Sequence, residues 1–482
     1  MAEAPQTTIG SGTVQGTSAN GIDRFLGIPY AAPPFGALRY ARPVPPAAWD
    51  GVRDASQFGA TAPQMPYGGG LEKYLPSVQI DGDDILTVNV WRPAERSGPL
   101  PVVVWVHGGA LTRGTPALDG YDGEPFARHG IVYVSIAYRL GQEGFAVIDG
   151  APANLGVLDQ EAALRWVRRE IAAFGGDPAR VTVMGQSAGA NTLTALLALP
   201  QAKELFDQAI LQSGPMSGQP VKKAGRMSRA IAKRLGIGAT REAFAAAEPA
   251  TLVAAQTAIS AGGSPLGGGP TVAIVIEGEA APVDPLAALR AGAGRDIPVL
   301  IGATTEEYRL WFIPSGATEK ITKTQLTLAR LAARVPRTVI AAHRRRRPDA
   351  KPGEILGEVV TDMLLRAPIT RFADSRVGTA APTWVYEFRW PSPVDGLGAA
   401  HAMELGFVFD RVDAPDSIAL GGADAPQALA DAMHGAWVRF IVGGDPGWEQ
   451  WSPRQPVEVF DADGGHIEYA PRADELAGLP DR

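Results

Sequence analysis

The chain has no cysteine. That removes disulfides, thiolate nucleophiles and cysteine-based metal sites, and it leans toward a reducing compartment. Histidine is scarce, with 6 in 482 residues, so imidazole chemistry falls on one of very few positions. No apolar run approaches the roughly eighteen residues needed to span a bilayer. Met1-Ala2-Glu3-Ala4-Pro5 lacks the basic start and apolar stretch of a secretory leader. The expectation is a soluble, cytoplasmic protein without membrane association. An excess of positive charge is also missing: 44 Lys and Arg stand against 51 Asp and Glu, a net charge of -7. Such a balance offers nothing to a polyphosphate, so no nucleic-acid partner is expected. The one basic run, His343-Arg344-Arg345-Arg346-Arg347, reads as a solvated helix end before Pro348.

What is present is ordinary for a globular protein: 45% hydrophobic and 20% charged residues. Gly 57 and Pro 41 point to many ordered loops. Length alone suggests two or three domains. No linker, repeat or low-complexity tract divides the chain, however, so one domain over 1–482 is expected, with helical insertions at roughly 220–290 and 315–380.

The first half alternates. Pro101–Val106 and Ile131–Ile136 are nearly all apolar, as in strands covered on both faces. Leu158 to Phe174 repeats apolar residues at helical spacing and is stopped by Gly175-Gly176-Asp177-Pro178. Val181–Met184 reads as a strand, Ala188–Leu199 as a helix and Gln208–Gln212 as a strand. The later pattern predicts helices near 225–235, 241–260, 324–343, 354–376 and 428–442, with strands at 297–302 and 384–390. Strand and helix in alternation imply an α/β fold with a mostly parallel central sheet flanked by helices. Ligands of such sheets bind outside the carboxyl ends of the strands.

Two of those ends carry chemistry. Gly185-Gln186-Ser187-Ala188-Gly189 sits between a predicted strand and a predicted helix. This is the setting of a nucleophile elbow, in which a tight turn requires small residues two positions either side of the serine. Ser187 is therefore the candidate nucleophile. His107-Gly108-Gly109-Ala110 follows the strand ending at Val106. Small residues there let backbone N–H groups approach a developing oxyanion, with the N–H of Ala188 as a further donor. His107 reads as an anchor for this loop.

Further segments stand in order along almost the whole chain: Phe25-Leu26-Gly27-Ile28-Pro29-Tyr30, Asp83-Asp84-Ile85-Leu86-Thr87-Val88-Asn89-Val90-Trp91, Tyr138-Arg139-Leu140-Gly141, Gly156-Val157-Leu158-Asp159-Gln160 and Gln212-Ser213-Gly214. With the two motifs above, they resemble the type-B carboxylesterases, a group within the α/β-hydrolase fold that includes cholinesterases and para-nitrobenzyl esterases, and most of all the actinobacterial carboxylesterases. The resemblance implies a serine carboxylesterase acting on short-chain alkyl or aryl esters through an acyl-enzyme, without cofactor or metal. A small-molecule ester is its expected partner, and a monomer its expected state. It also implies that Gly109 and Ala110 donate to the oxyanion, leaving the part of Gly108 open, and that Arg39–Asp83 and Arg139–Asp159 are buried ion pairs. Where the family has cysteines, near Ala62–Gln64 and at Ile85, this chain has none, so packing alone should hold that loop. Gln186 replaces a glutamate common in the elbow.

Nucleophile, acid and histidine follow in that chain order in this fold. His343, His401, His434 and His466 come after Ser187. His401, in Ala400-His401-Ala402-Met403-Glu404, resembles the family's base; His434 and His466 look structural or exposed. The acid aligns with Glu307, and the adjacent Glu306 is its rival. Glu404 and Ser213 resemble a supporting network. Met65–Leu75 and Leu310-Trp311-Phe312 are candidate walls of an apolar entrance. The competing readings are a catalytically silent binding module of this fold, and amide, carbamate or lipid hydrolysis on the same triad.

Overall fold

The computed structural model describes residues 4–214, 217–261 and 270–481, so part of the first expected insertion, 262–269, lies outside the described residues. The strands follow in the order β1 (Gln6–Ile9), β2 (Gly12–Gln15), β3 (Thr17–Ala19), β4 (Ile22–Pro29), β5 (Val52–Asp54), β6 (Thr87–Pro93), β7 (Leu100–Val106) and β8 (Val132–Ile136). Then come β9 (Gly176–Gln186), β10 (Gln208–Gln212), β11 (Gln219–Pro220), β12 (Val275–Ile276), β13 (Val299–Thr304), β14 (Thr383–Phe388), β15 (Pro456–Asp461) and β16 (Gly464–Tyr469).

An 11-stranded sheet runs β16-β15-β14-β13-β10-β9-β7-β8-β6-β4-β3. From β8 through β7, β9, β10, β13 and β14 to β15 every pair is parallel. Antiparallel strands close both edges. The interior is parallel because helical connections cover both faces. Strands such as β7 (LPVVVWV) and β8 (VYVSI) therefore read as continuous buried runs of β-branched residues. One face packs Leu164 and Val167 of the Leu155–Glu170 helix and Leu193 and Leu196 of the Ala188–Leu197 helix. The other packs Phe126, Phe409, Trp437 and Phe440. Because β7, β9, β10 and β13 run the same way, His107, Ser187, Ser213 and the loop to Glu307 all emerge at one rim.

Long helical patterns divide where proline dictates. The 241–260 pattern is two helices, Arg241–Ala246 and Pro249–Ala261, because Pro249 can only open a helix. The 324–343 pattern breaks ahead of Pro336 into Lys323–Ala332 and Arg337–Arg346. Near Pro368 the chain stays helical by inserting a π turn, Asp362–Arg366, between Pro352–Thr361 and Ala367–Ser375. The wider turn accommodates a ring that lacks an N–H and would collide with the preceding turn. Among the described residues no helix is long and apolar enough to cross a membrane.

Three expectations change. Arg39 pairs with Glu143, not Asp83: its Nε lies 3.0 Å from Oε2, both side chains are buried, and Asp83 is exposed. Arg139 does pair with Asp159, through Nη2–Oδ1 at 2.7 Å and Nε–Oδ2 at 2.8 Å. The basic run is not wholly solvated. Arg344, Arg345 and Arg346 are exposed, but His343 is fully buried, one turn on from buried Val339. Its Nε2 lies 3.0 Å from Asp362 and its Nδ1 3.4 Å from Glu475. Finally, the cysteine-free N-terminal loop is held by more than packing. Gln64 accepts from the Gly114 N–H at 2.8 Å and donates to the Gly114 carbonyl at 3.0 Å.

Candidate active site

Ser187 caps the Ala188–Leu197 helix at the end of β9, with φ 55° and ψ −120°. That backbone is costly for a residue with a Cβ, on the order of 1–3 kcal/mol. It is held by the Ser187 N–H donating to Gln212 of β10 at 2.9 Å and by the Asn191 N–H donating to the Ser187 carbonyl at 2.9 Å. The flanking glycines are required by space. A Cβ on Gly185 would stand 2.8 Å from the Gly189 carbonyl carbon, and one on Gly189 would stand 2.1 Å from the Val106 carbonyl oxygen. The helix start thus packs directly on the end of β7, which brings the glycine loop alongside the serine.

A Cβ on Gly108 would lie 3.2 Å from Ser187 Cβ and 2.9 Å from Gln186 Oε1, so only glycine allows this approach. Gly109, Ala110 and Leu111 all have positive φ (117°, 56° and 62°). The turn closes through the N–H groups of Thr112 and Arg113, each donating to the Gly109 carbonyl at 3.1 Å. Among the described residues the N–H groups of Gly108, Gly109, Ala110 and Ala188 reach no protein acceptor. Free donors beside a serine at a helix N-terminus form a pocket for negative charge. His107 is a buried anchor: its Nδ1 lies 2.8 Å from the Gly108 oxygen, its ring stacks on Tyr138, and burial lowers its pKa to about 4.

The carboxylate of Glu307 meets His401 Nδ1 through Oε2. Its Oε1 accepts from Ser213 Oγ at 2.7 Å and from the Thr304 N–H at 2.8 Å. Glu307 is buried and so is His401. Burial works against the charged imidazole, but the Glu307 charge and hydrogen bond outweigh it, and the His401 pKa is raised from 6.5. Glu306 points elsewhere. It pairs with Arg309 at 2.8 Å and accepts from the Ala399 N–H at 3.1 Å, pinning the loop that carries His401. Glu404 is fully buried and accepts from Gln212 Nε2 at 3.3 Å; burial, then the Glu307 charge, raises its pKa from 4.5 to about 7.

His401 Nε2 faces the elbow, 3.2 Å from the side-chain nitrogen of Gln186. No motif flagged that contact; its only signal was the position of Gln186 next to the serine. Of the entrance candidates, Trp311 is 43% exposed and its ring centroid lies 4.8 Å from that of His401. Leu310 and Phe312 are buried instead, Leu310 in the aromatic core on one sheet face and Phe312 against the Tyr308 ring. Met65 is exposed, whereas Tyr74 is buried with its hydroxyl donating to Asp395 at 2.7 Å. His434 is buried and His466 lies exposed on β16. The remaining metal-like group, His343, Asp362 and Glu475, lies in the helical region, where Arg347 Nη1 at 2.8 Å from Glu475 and Arg366 on Asp362 already supply positive charge.

A strained serine elbow on a parallel sheet, with free amides and a buried carboxylate–imidazole pair on the same rim, is the arrangement of an α/β-hydrolase-fold serine esterase. The chain belongs to the carboxylesterase family, whose profile matches residues 3–463. It is 34% identical over 457 residues to a para-nitrobenzyl esterase of Bacillus subtilis, covering 91% of this chain and 90% of that one. It is 35% identical over 459 residues to a phenmedipham hydrolase of Pseudarthrobacter oxydans, again covering 91% and 90%. A carboxylesterase structure from Geobacillus stearothermophilus superposes with a TM-score of 0.88 at 34% identity, over 98% of this chain and 100% of the other. The protein is a carboxylic ester hydrolase acting on small-molecule esters.

Proposed function

We propose that the protein hydrolyses short-chain alkyl and aryl esters through an acyl-enzyme, with Ser187 as nucleophile, His401 as general base and Glu307 as the acid behind it. The observation that carries this is the Glu307 carboxylate. It fixes the His401 tautomer at Nδ1 and leaves Nε2 turned toward the elbow. A neutral imidazole takes the Ser187 proton during attack on the ester carbonyl and returns it to the leaving alcohol. The tetrahedral oxyanion is received by the N–H groups of Gly109, Ala110 and Ala188, while Gly108 supplies the close approach. Loss of one such donor costs about 10²–10³-fold in rate. Expulsion of the alcohol leaves an ester on Ser187, which water, activated by the same imidazole, then hydrolyses.

Aryl substrates are favoured by Trp311, whose half-exposed indole packs on His401 and offers an apolar wall where the leaving group departs. The name of the para-nitrobenzyl esterase relative also points to aromatic substrates. A para-nitrophenyl ester should give a pre-steady-state burst of about one equivalent of phenol per protein when deacylation is slow. Ser187→Ala should remain folded and lose turnover. A Ser187→Ala protein with full activity would remove this reading.

A further inference from the structure

Gln186 lies on the last residue of β9, buried, and the reaction described above gives it no task. Its side chain nevertheless touches both halves of the machinery. Oε1 lies where a Cβ on Gly108 would come within 2.9 Å, and Nε2 lies 3.2 Å from His401 Nε2. The chemistry of that second contact is fixed by what the other ring nitrogen does. Nδ1 is committed as a donor to the Glu307 carboxylate, so Nε2 of the neutral ring holds a lone pair. Only a donor, an N–H or an O–H, can satisfy it, and in this structure the Gln186 amide stands there with an N–H.

Resting on the triad reading, we propose that Gln186 is a positioning residue for the base: its amide donates to the Nε2 lone pair of neutral His401 and keeps the imidazole unprotonated to lower pH than its carboxylate neighbours alone would permit. The balance follows from what each protonation state meets. The neutral ring gains a hydrogen bond. With the amide in the orientation seen here, the imidazolium turns an N–H toward an N–H and loses it. A hydrogen bond made only to the neutral form opposes protonation. Among the described residues, the charged side chains acting on His401 are Glu307 and Glu404, and the neutral Trp311 ring packs beside it. Both carboxyl groups favour the imidazolium, so within this site Gln186 is the contact that pulls the other way. The same lone pair must later accept the Ser187 proton, so the amide gives way as substrate arrives and the hydroxyl takes its place.

The experiment compares the pH dependence of kcat/KM for para-nitrophenyl acetate in wild type, Gln186→Met and Gln186→Glu. Methionine keeps the volume and removes the donor. Its acid limb should move up by about 0.5 unit. Glutamate replaces the donor with an anion beside Nε2, and its limb should move up further, by about 1–2 units. At pH 9, where the base is neutral in all three, labelling of Ser187 by a fluorophosphonate should persist; that separates failure of this proposal from failure of the triad. If Gln186→Glu does not fold, the sign of the Gln186→Met shift still decides. An acid limb that stays within about 0.2 unit of wild type in the folded variants, or a uniform fall in rate at every pH, would show that Gln186 only fills space and would overturn the proposal.

Discussion

Glu307 holds His401 twice: its Oε2 meets the imidazole Nδ1, and its backbone carbonyl accepts the His401 N–H at 3.4 Å. One residue on the loop after β13 thus ties both the Nδ1 side of the ring and the backbone that carries it. Glu306, one position earlier, is spent on Arg309 and the Ala399 N–H.

The first prediction separates these neighbours. Glu307→Gln should lower kcat/KM for a para-nitrophenyl ester by about 10³–10⁴-fold, since an amide leaves the wrong tautomer poised. Glu306→Gln should stay within about tenfold of wild type and cost about 1 kcal/mol or less, because its pair with Arg309 is partly solvated. Steady-state kinetics with thermal melts of both variants measure the contrast.

What the residues alone made legible follows from where the physics is local. The β7, β8, β9 and β10 strands announce themselves as apolar runs, and the elbow as a glycine-framed serine between strand and helix. Glu306 against Glu307 was not decidable from spacing; it turns on which side chain the loop after β13 directs inward. The Arg39–Glu143 pair and the Gln64–Gly114 tie join positions 104 and 50 residues apart, and nothing local encodes them. His343 was hidden by its arginine neighbours, although its spacing from Val339 placed it on the inner helix face. Pro249 and Pro336 carried the helix breaks in plain view.

Buried Glu404 yields a pH signature of stability. Its folded pKa is raised from 4.5 to about 7. A raised value means stability present below the unfolded pKa and lost as pH rises through the folded one, so the wild type should lose up to roughly 3 kcal/mol relative to Glu404→Gln between about pH 4.5 and 7. Denaturant melts at pH 5 and pH 8 should show Glu404→Gln gaining on wild type at the higher pH. A constant difference between the two proteins would contradict the assignment.

Gln64 ties the N-terminal loop by two hydrogen bonds to Gly114, at the far end of the turn that carries Gly109 and Ala110. Gln64→Ala should cost about 1–3 kcal/mol and lower kcat more than it raises KM. Urea unfolding and Michaelis kinetics test both halves of this expectation.

Gly108 and Gly189 should fail in different ways. A methyl on Gly108 meets Gln186 Oε1 at 2.9 Å, the Gln186 backbone oxygen at 3.0 Å and Ser187 Cβ at 3.2 Å, so Gly108→Ala should push the loop and the donors it carries away from Ser187 and lose about 10²–10³-fold in kcat. A methyl on Gly189 meets backbone oxygen at 2.1 Å and cannot be relieved by a side-chain shift. Gly189→Ala should therefore cost several kcal/mol, on the order of a severe overpacking defect, and show a markedly lower melting temperature.

The most direct test is intact-mass and peptide mapping of the protein after exposure to a fluorophosphonate. A Ser187 nucleophile with a His401 base should give a single adduct, located on Ser187, formed at a rate that falls by orders of magnitude in His401→Gln and absent in Ser187→Ala. An adduct on another residue, or equal labelling of the His401→Gln protein, would contradict it.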